Sequence, residues 1–148
     1  MIVLSISLGC TIYSKQKKNI VAVWDLAGID STLLKNVNEI CPYAHYIVDI
    51  LNKSQNFDVV EREALCSIIE EYNIPTPITD EKTRLKIGKI AGAKFMVFVE
   101  IYLKPNPWLH LRLSEVETGI IQKIVERPIH QEECIQLIFN STKELFSM

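Results

Sequence analysis

Phe57-Asp58-Val59-Val60-Glu61-Arg62-Glu63-Ala64-Leu65-Cys66 is the stretch on which the fold turns. A short β-branched run passes directly into acids and then into apolar residues at helical spacing. Leu65, Ile68, Ile69 and Tyr72 recur every three or four residues, so strand is followed at once by an amphipathic helix. Pro75 then closes the helix, and Pro75-Thr76-Pro77 reads as a stiff loop. Glu61 and Glu63 stand where acids interact favourably with the partial positive charge of a helix start. An ion pair from Arg62, for instance to Asp25 at a neighbouring strand end, explains this joint better than a ligand site.

Working outward, Ile20 to Leu26 is a continuous apolar run, the pattern of a strand covered on both faces. Ala27 to Ser31 reads as a loop, and residues 31–40 hold no clear period. From Pro42 onward Ala44, Ile47, Val48 and Leu51 predict a helix that ends in Asn52 to Asn56. Thr79 or Asp80 is placed to cap a third helix running to Lys89, with Ala91-Gly92 at its end. Lys94 to Leu103 is almost wholly apolar and predicts a central strand. After Pro105-Asn106-Pro107, Leu109, Leu111 and Leu113 alternate with His110, Arg112 and Ser114, giving one buried face and one wet face. Thr118-Gly119 turns the chain into a fifth strand, Ile120 to Glu126. A last helix spans about residues 131–146, with Ile135, Ile138 and Leu145 on its buried side. Early strands separated by helices call for parallel crossovers, and late strands joined by short turns call for an antiparallel meander. The expectation is therefore an α/β domain over residues 19–148, with a mixed five-stranded sheet and helices packed on it.

Composition narrows the function classes. With 148 residues and 48% hydrophobic content the chain is long enough for a core of its own. A net charge of -2 lacks the electropositive footprint of a nucleic-acid binder, and no nucleic-acid partner is expected. No GxGxxG, GxxxxGK[ST] or GxSxG pattern occurs, and the three histidines, His45, His110 and His130, lack metal-ligand spacing. No catalytic, cofactor or metal residues are assigned. Asp25 and Glu61 or Arg62, at strand ends, are the weak alternative for an enzyme. Trp24 is expected in the core and Trp108, beside its proline turn, at the surface. The four cysteines, Cys10, Cys41, Cys66 and Cys134, match no metal pattern. Cys66 and Cys134 read as buried small hydrophobes, while a disulfide between two of Cys41, Cys66 and Cys134 stays open in an oxidising compartment.

The amino-terminal residues 1–18 carry a separate signal. An apolar run ending in Gly9-Cys10 and followed by Lys15, Lys17 and Lys18 resembles the end of a bacterial lipoprotein signal peptide. In such a peptide the Cys10 thiol takes the lipid, although no basic residue precedes the run. A first strand, Ile2 to Leu8, is the plain structural alternative.

Taken together, Val21-Ala22-Val23-Trp24-Asp25, Phe57 to Arg62, Ile87-Gly88-Lys89-Ile90-Ala91-Gly92-Ala93-Lys94-Phe95-Met96-Val97 and Glu115 to Gly119 resemble the successive motifs of the CsgG-type curli assembly/transport family. Related domains are those of lipoprotein activators of penicillin-binding proteins and the amino-terminal domain of TolB. The resemblance runs from about Asn19 to Pro128. It implies a periplasmic, non-catalytic interaction or assembly module of the cell envelope, lipid-anchored in the outer membrane, with envelope proteins as partners and self-association left open. A secretion-pore subunit or a lipoprotein regulator of a cell-wall synthase are the alternatives it implies. The chain departs from the family in having no room at Pro105–Pro107, at Thr118-Gly119 or in residues 31–41 for the pore-forming hairpins. Lys94 also stands where the family often carries an acid.

Overall fold

The computed structural model describes residues 17–25, 43–75, 80–102, 106–130 and 134–147. Its elements in chain order are β1 (Asn19–Asp25), α1 (Tyr43–Ser54), β2 (Phe57–Val60), α2 (Arg62–Glu71), α3 (Glu81–Ile90), β3 (Phe95–Tyr102), β4 (Trp108–Glu115), β5 (Ile121–Pro128) and α4 (Cys134–Phe146). The strands form one five-stranded sheet in the order β2-β1-β3-β4-β5. β1 pairs in parallel with both β2 and β3, and β3-β4-β5 is an antiparallel meander. This is the mixed α/β sheet that the sequence predicts, with the apolar β3 at its centre.

Strand alternation divides the core between two faces. One face carries Val21, Val97, Val99, Leu109, Leu111, Leu113 and Val125 against Tyr43, Ile47 and Leu51 of α1 and Ile138 and Leu145 of α4. The other carries Ala22, Trp24, Met96 and Phe98 against Leu65 of α2 and Ile87 of α3. α3 lies close to β3, because a Cβ at Gly88 would stand 2.7 Å from Met96 Cε. Asp80 caps α3 by accepting from the Thr83 amide at 2.7 Å, and this bond holds its carboxyl below the usual carboxylate range. Gly92 and Gly119 take φ of +77° and +71°, which only glycine adopts freely, where a helix ends and a hairpin turns.

Several details differ from the expectations. Cys66 is exposed and free, because it sits about 100° around α2 from Leu65, outside the buried stripe. Cys134 is disulfide-bonded, the alternative the sequence leaves open, rather than a plain buried thiol, and its partner lies outside the described residues. Tyr72 is exposed because the helix has ended before it, at a residue with φ -90° and ψ 6°. Ile135 is exposed as well: the buried side of α4 runs through Ile138, Ser141, Thr142 and Leu145. In β5 the register slips between Leu113 and Ser114, so that Lys123 faces Leu113, Ile121 faces Ser114 and Gln122 is left over. Cys10, the alternative strand Ile2 to Leu8, and residues 26–42 lie outside the described residues.

Candidate functional site

α2 and α3 pack over β2, β1 and β3, and no residue of β4 or β5 joins the cluster beneath them. The same alternation that buries Met96 and Phe98 sends Glu100 and Tyr102 to this face farther along β3. β4 adds Trp108, His110 and Arg112, and β5 adds Ile124 and Glu126, through the pairs Glu100–His110, Phe98–Arg112, Tyr102–Trp108, His110–Glu126 and Arg112–Ile124. Among the described residues no helix core packs over this half of the sheet face, which has partly buried charge at its middle and large exposed apolar side chains around it.

Arg112 is the hub. Its guanidinium lies 4.7 Å from the centre of the Phe98 ring, a cation–π contact made where its side chain is only 16% exposed. Nη1 meets Glu81 of α3 at 3.1 Å, and Nη2 approaches Glu100 at 3.9 Å. Its Nε is buried without a partner among the described residues. His110 stands beside it, with Nδ1 2.7 Å from Glu126 and Nε2 4.0 Å from Glu100. The Tyr102 ring meets the His110 ring edge-on, and its hydroxyl donates to Glu100 at 3.0 Å. That donated bond pushes the Tyr102 phenol above its usual value, with smaller help from desolvation and the carboxylate charge. Glu81 and Glu100 thus lie about Arg112, and Glu126 is joined to them through His110. Tyr102, Trp108, Ile121 and Ile124 are 51%, 41%, 45% and 47% exposed around them.

A fixed charge network ringed by exposed aromatic and aliphatic groups is suited to recognition, since interfaces favour aromatic anchors beside placed polar groups. The one buried hydroxyl nearby, that of Ser114, is fully shielded and hydrogen-bonds to nothing among the described residues. No group of three or more metal-ligating side chains occurs among the described residues.

The residues singled out from sequence fall differently. Trp108 is exposed, as expected, whereas the strand face expected to be wet is largely shielded, with His110 hydrogen-bonded at 13% exposure and Ser114 buried. Trp24 is buried, while His45 and His130 are exposed away from the network. Glu61 and Arg62 are exposed at the β2–α2 joint, and the Asp25 side chain lies outside the described residues. Glu81, Glu100, Tyr102, Arg112 and Glu126 were not recognised as a group. The signal was Glu100 interrupting the apolar run of β3, but only the strand register shows that it meets His110.

The family model described as the curli production assembly/transport component CsgG matches residues 39–102. Over those residues the chain is similar to that family. That match takes in α1 through β3, so the motifs at Val21–Asp25 and Glu115–Gly119 lie outside it. Among solved structures, the LpoB C-terminal domain from Escherichia coli is similar with a TM-score of 0.55 and 16% identity, over 76% of this chain and 82% of that one. The LpoB C-terminal domain from Salmonella enterica follows at 0.54 and 14%, over 78% and 87%. TolB from Acinetobacter baumannii gives 0.50 and 12%, over 88% of this chain but 29% of that one. At these identities the shared property is the fold. No curated protein sequence matches the chain.

Proposed function

We propose that this CsgG-related domain is a lipid-anchored interaction module on the periplasmic side of a bacterial envelope, acting through protein contacts rather than catalysis. The observation that carries the reading is the open half-face of β3-β4-β5, where a partly buried Arg112–Glu100–His110 network is ringed by exposed Tyr102, Trp108 and Ile124. The bonded Cys134 supports an oxidising compartment, because disulfides persist there and are rare in the cytosol. Gly9-Cys10 supports lipid attachment at Cys10. A single acyl chain gives marginal, reversible anchoring and a second secures it, each buried methylene adding about 0.8 kcal/mol. A pore-forming role has less support, since the turns around residues 103–107 and 116–120 are too short for membrane-length hairpins.

Cell fractionation with metabolic lipid labelling tests the proposal. The wild type should partition with membranes and carry label, and Cys10→Ser should lose the label. A cytosolic wild type, or label that survives Cys10→Ser, would overturn it.

A further inference from the structure

The sheet order ends at β5, so the outer backbone edge of this strand has no partner strand among the described residues. Edge strands are usually guarded by lysines, prolines or bulges that discourage pairing. Here the guards are diverted. Lys123 reaches over α4 to the Glu144 carbonyl and to Ser147 Oγ at 3.2 Å, and Arg127 pairs with Glu144. The bulge lies at one end of the strand, by Gln122, and Pro128 at the other. Between them the opposite face presents Ile124, 47% exposed, and Glu126, whose side chain is 60% exposed.

We propose that β5 accepts an extended, basic segment of a partner protein as a sixth strand, with a lysine or arginine opposite Glu126 and an apolar side chain beside Ile124. This rests on the interaction-module reading above and names the chemistry of the partner. Strand addition supplies affinity through main-chain hydrogen bonds and selectivity through alternate side chains. A residue directly opposite Glu126 would point to the same face, with its Cβ about 5 Å away, which suits an ion pair.

Charge selects the occupant. Glu126 stands on the edge strand itself with its side chain 60% exposed and paired to His110 rather than to a permanent cation, while Arg112 is held by Glu81 and the Phe98 ring. The exposed charge on β5 beside the edge is therefore negative, and the exposed faces of Tyr102 and Trp108 add favourable surfaces for a cation. A second copy of the chain fits less well. Two β5 strands paired about a two-fold axis match residues of the same face, whereas the cations of β5, Lys123 and Arg127, lie on the face opposite Glu126. Self-pairing therefore leaves Glu126 without a cation.

The probes are a short synthetic peptide alternating lysine with valine and its glutamate–valine counterpart. Binding is followed by fluorescence anisotropy on the full chain, and amide hydrogen exchange locates the contact. The lysine peptide should bind at least about tenfold more tightly than the glutamate peptide, weaken with added salt, and protect amides of β5. Glu126→Lys, at an exposed position, should invert the preference while circular dichroism stays unchanged. Should that variant misfold, N-methylation of the lysine peptide gives an independent check, since it removes main-chain donors and should abolish binding. Equal binding of both peptides, no binding, or protection outside β5 would overturn the proposal. So would a dimer in sedimentation that protects β5 without peptide. These outcomes are independent of fractionation, so failure here leaves the envelope reading standing, and the converse also holds.

Discussion

The two faces of the sheet are finished in different ways. On one, α1 and α4 meet all the strands, and the buried residues run from Val21 on β1 to Val125 on β5 without a charge among them. On the other, the described core beneath α2 and α3 ends at β3, and the far end of β3 with β4 and β5 carries Glu100, His110, Arg112 and Glu126 in place of an apolar core. Both faces come from the same alternating strands. The difference teaches that coverage, rather than strand pattern alone, separates the stabilising surface from the one free to recognise a partner.

The comparison breaks most readily at the covered face. Ile47→Ala on α1 should cost about 4 kcal/mol by urea denaturation, because a fully buried side chain is lost and a cavity left. Ile124→Ala on the open face should change stability by less than about 0.5 kcal/mol. Similar losses at both sites would show that the open face is covered after all.

Next in size, Cys134→Ser should lower stability by about 3 kcal/mol, and a reductant should do the same to the wild type but not to the variant. This tests whether the covered face, where α4 begins at Cys134, depends on its covalent tie.

Arg112→Ala should cost about 2 kcal/mol, since it removes the cation from beside Glu81 and Glu100 and its stack on Phe98. Glu100→Gln in the same chain should recover part of that loss. A double-mutant cycle with coupling near zero would show that the two side chains do not act together.

The smallest effect is alkaline. The Tyr102 phenol is raised in the folded state by its bond to Glu100, so the folded protein holds that proton more tightly than the unfolded chain. The resulting stability is fully present below the ordinary phenol value of about 10 and is lost as pH rises through the folded value. Tyr102→Phe should remove that part of the slope in denaturation midpoints, and an unchanged slope would place the cause elsewhere.

Much of the scaffold was legible because local chemistry and global packing agree in it. Phe57 to Val60 reads as a short strand, Thr79 or Asp80 as a cap (it is Asp80) and Gly119 as a turn, each from neighbours in the chain. The open face was not legible in the same way. Glu100, His110 and Glu126 are far apart in sequence and meet only through the β3-β4-β5 register, which depends on two turns at once. Glu81 joins them from a helix whose placement over β3 no periodicity reveals. Cys66 and Ile135 show the same limit on a smaller scale. Apolar neighbours suggested burial, but one step around a helix is enough to turn a side chain outward.

The leftover Gln122 makes β5 unequal in its tolerance of deletions. Losing any residue from Lys123 to Arg127 would exchange the two sides of part of the strand, sending Ile124 or Glu126 toward α4, since side chains alternate with a period of two. Losing Gln122 would leave Lys123 opposite Leu113 and Ile121 opposite Ser114, as they stand now. Length variation among relatives of this domain should therefore gather at Gln122 and in the hairpin turn before it, while the segment from Lys123 onward keeps its residue count.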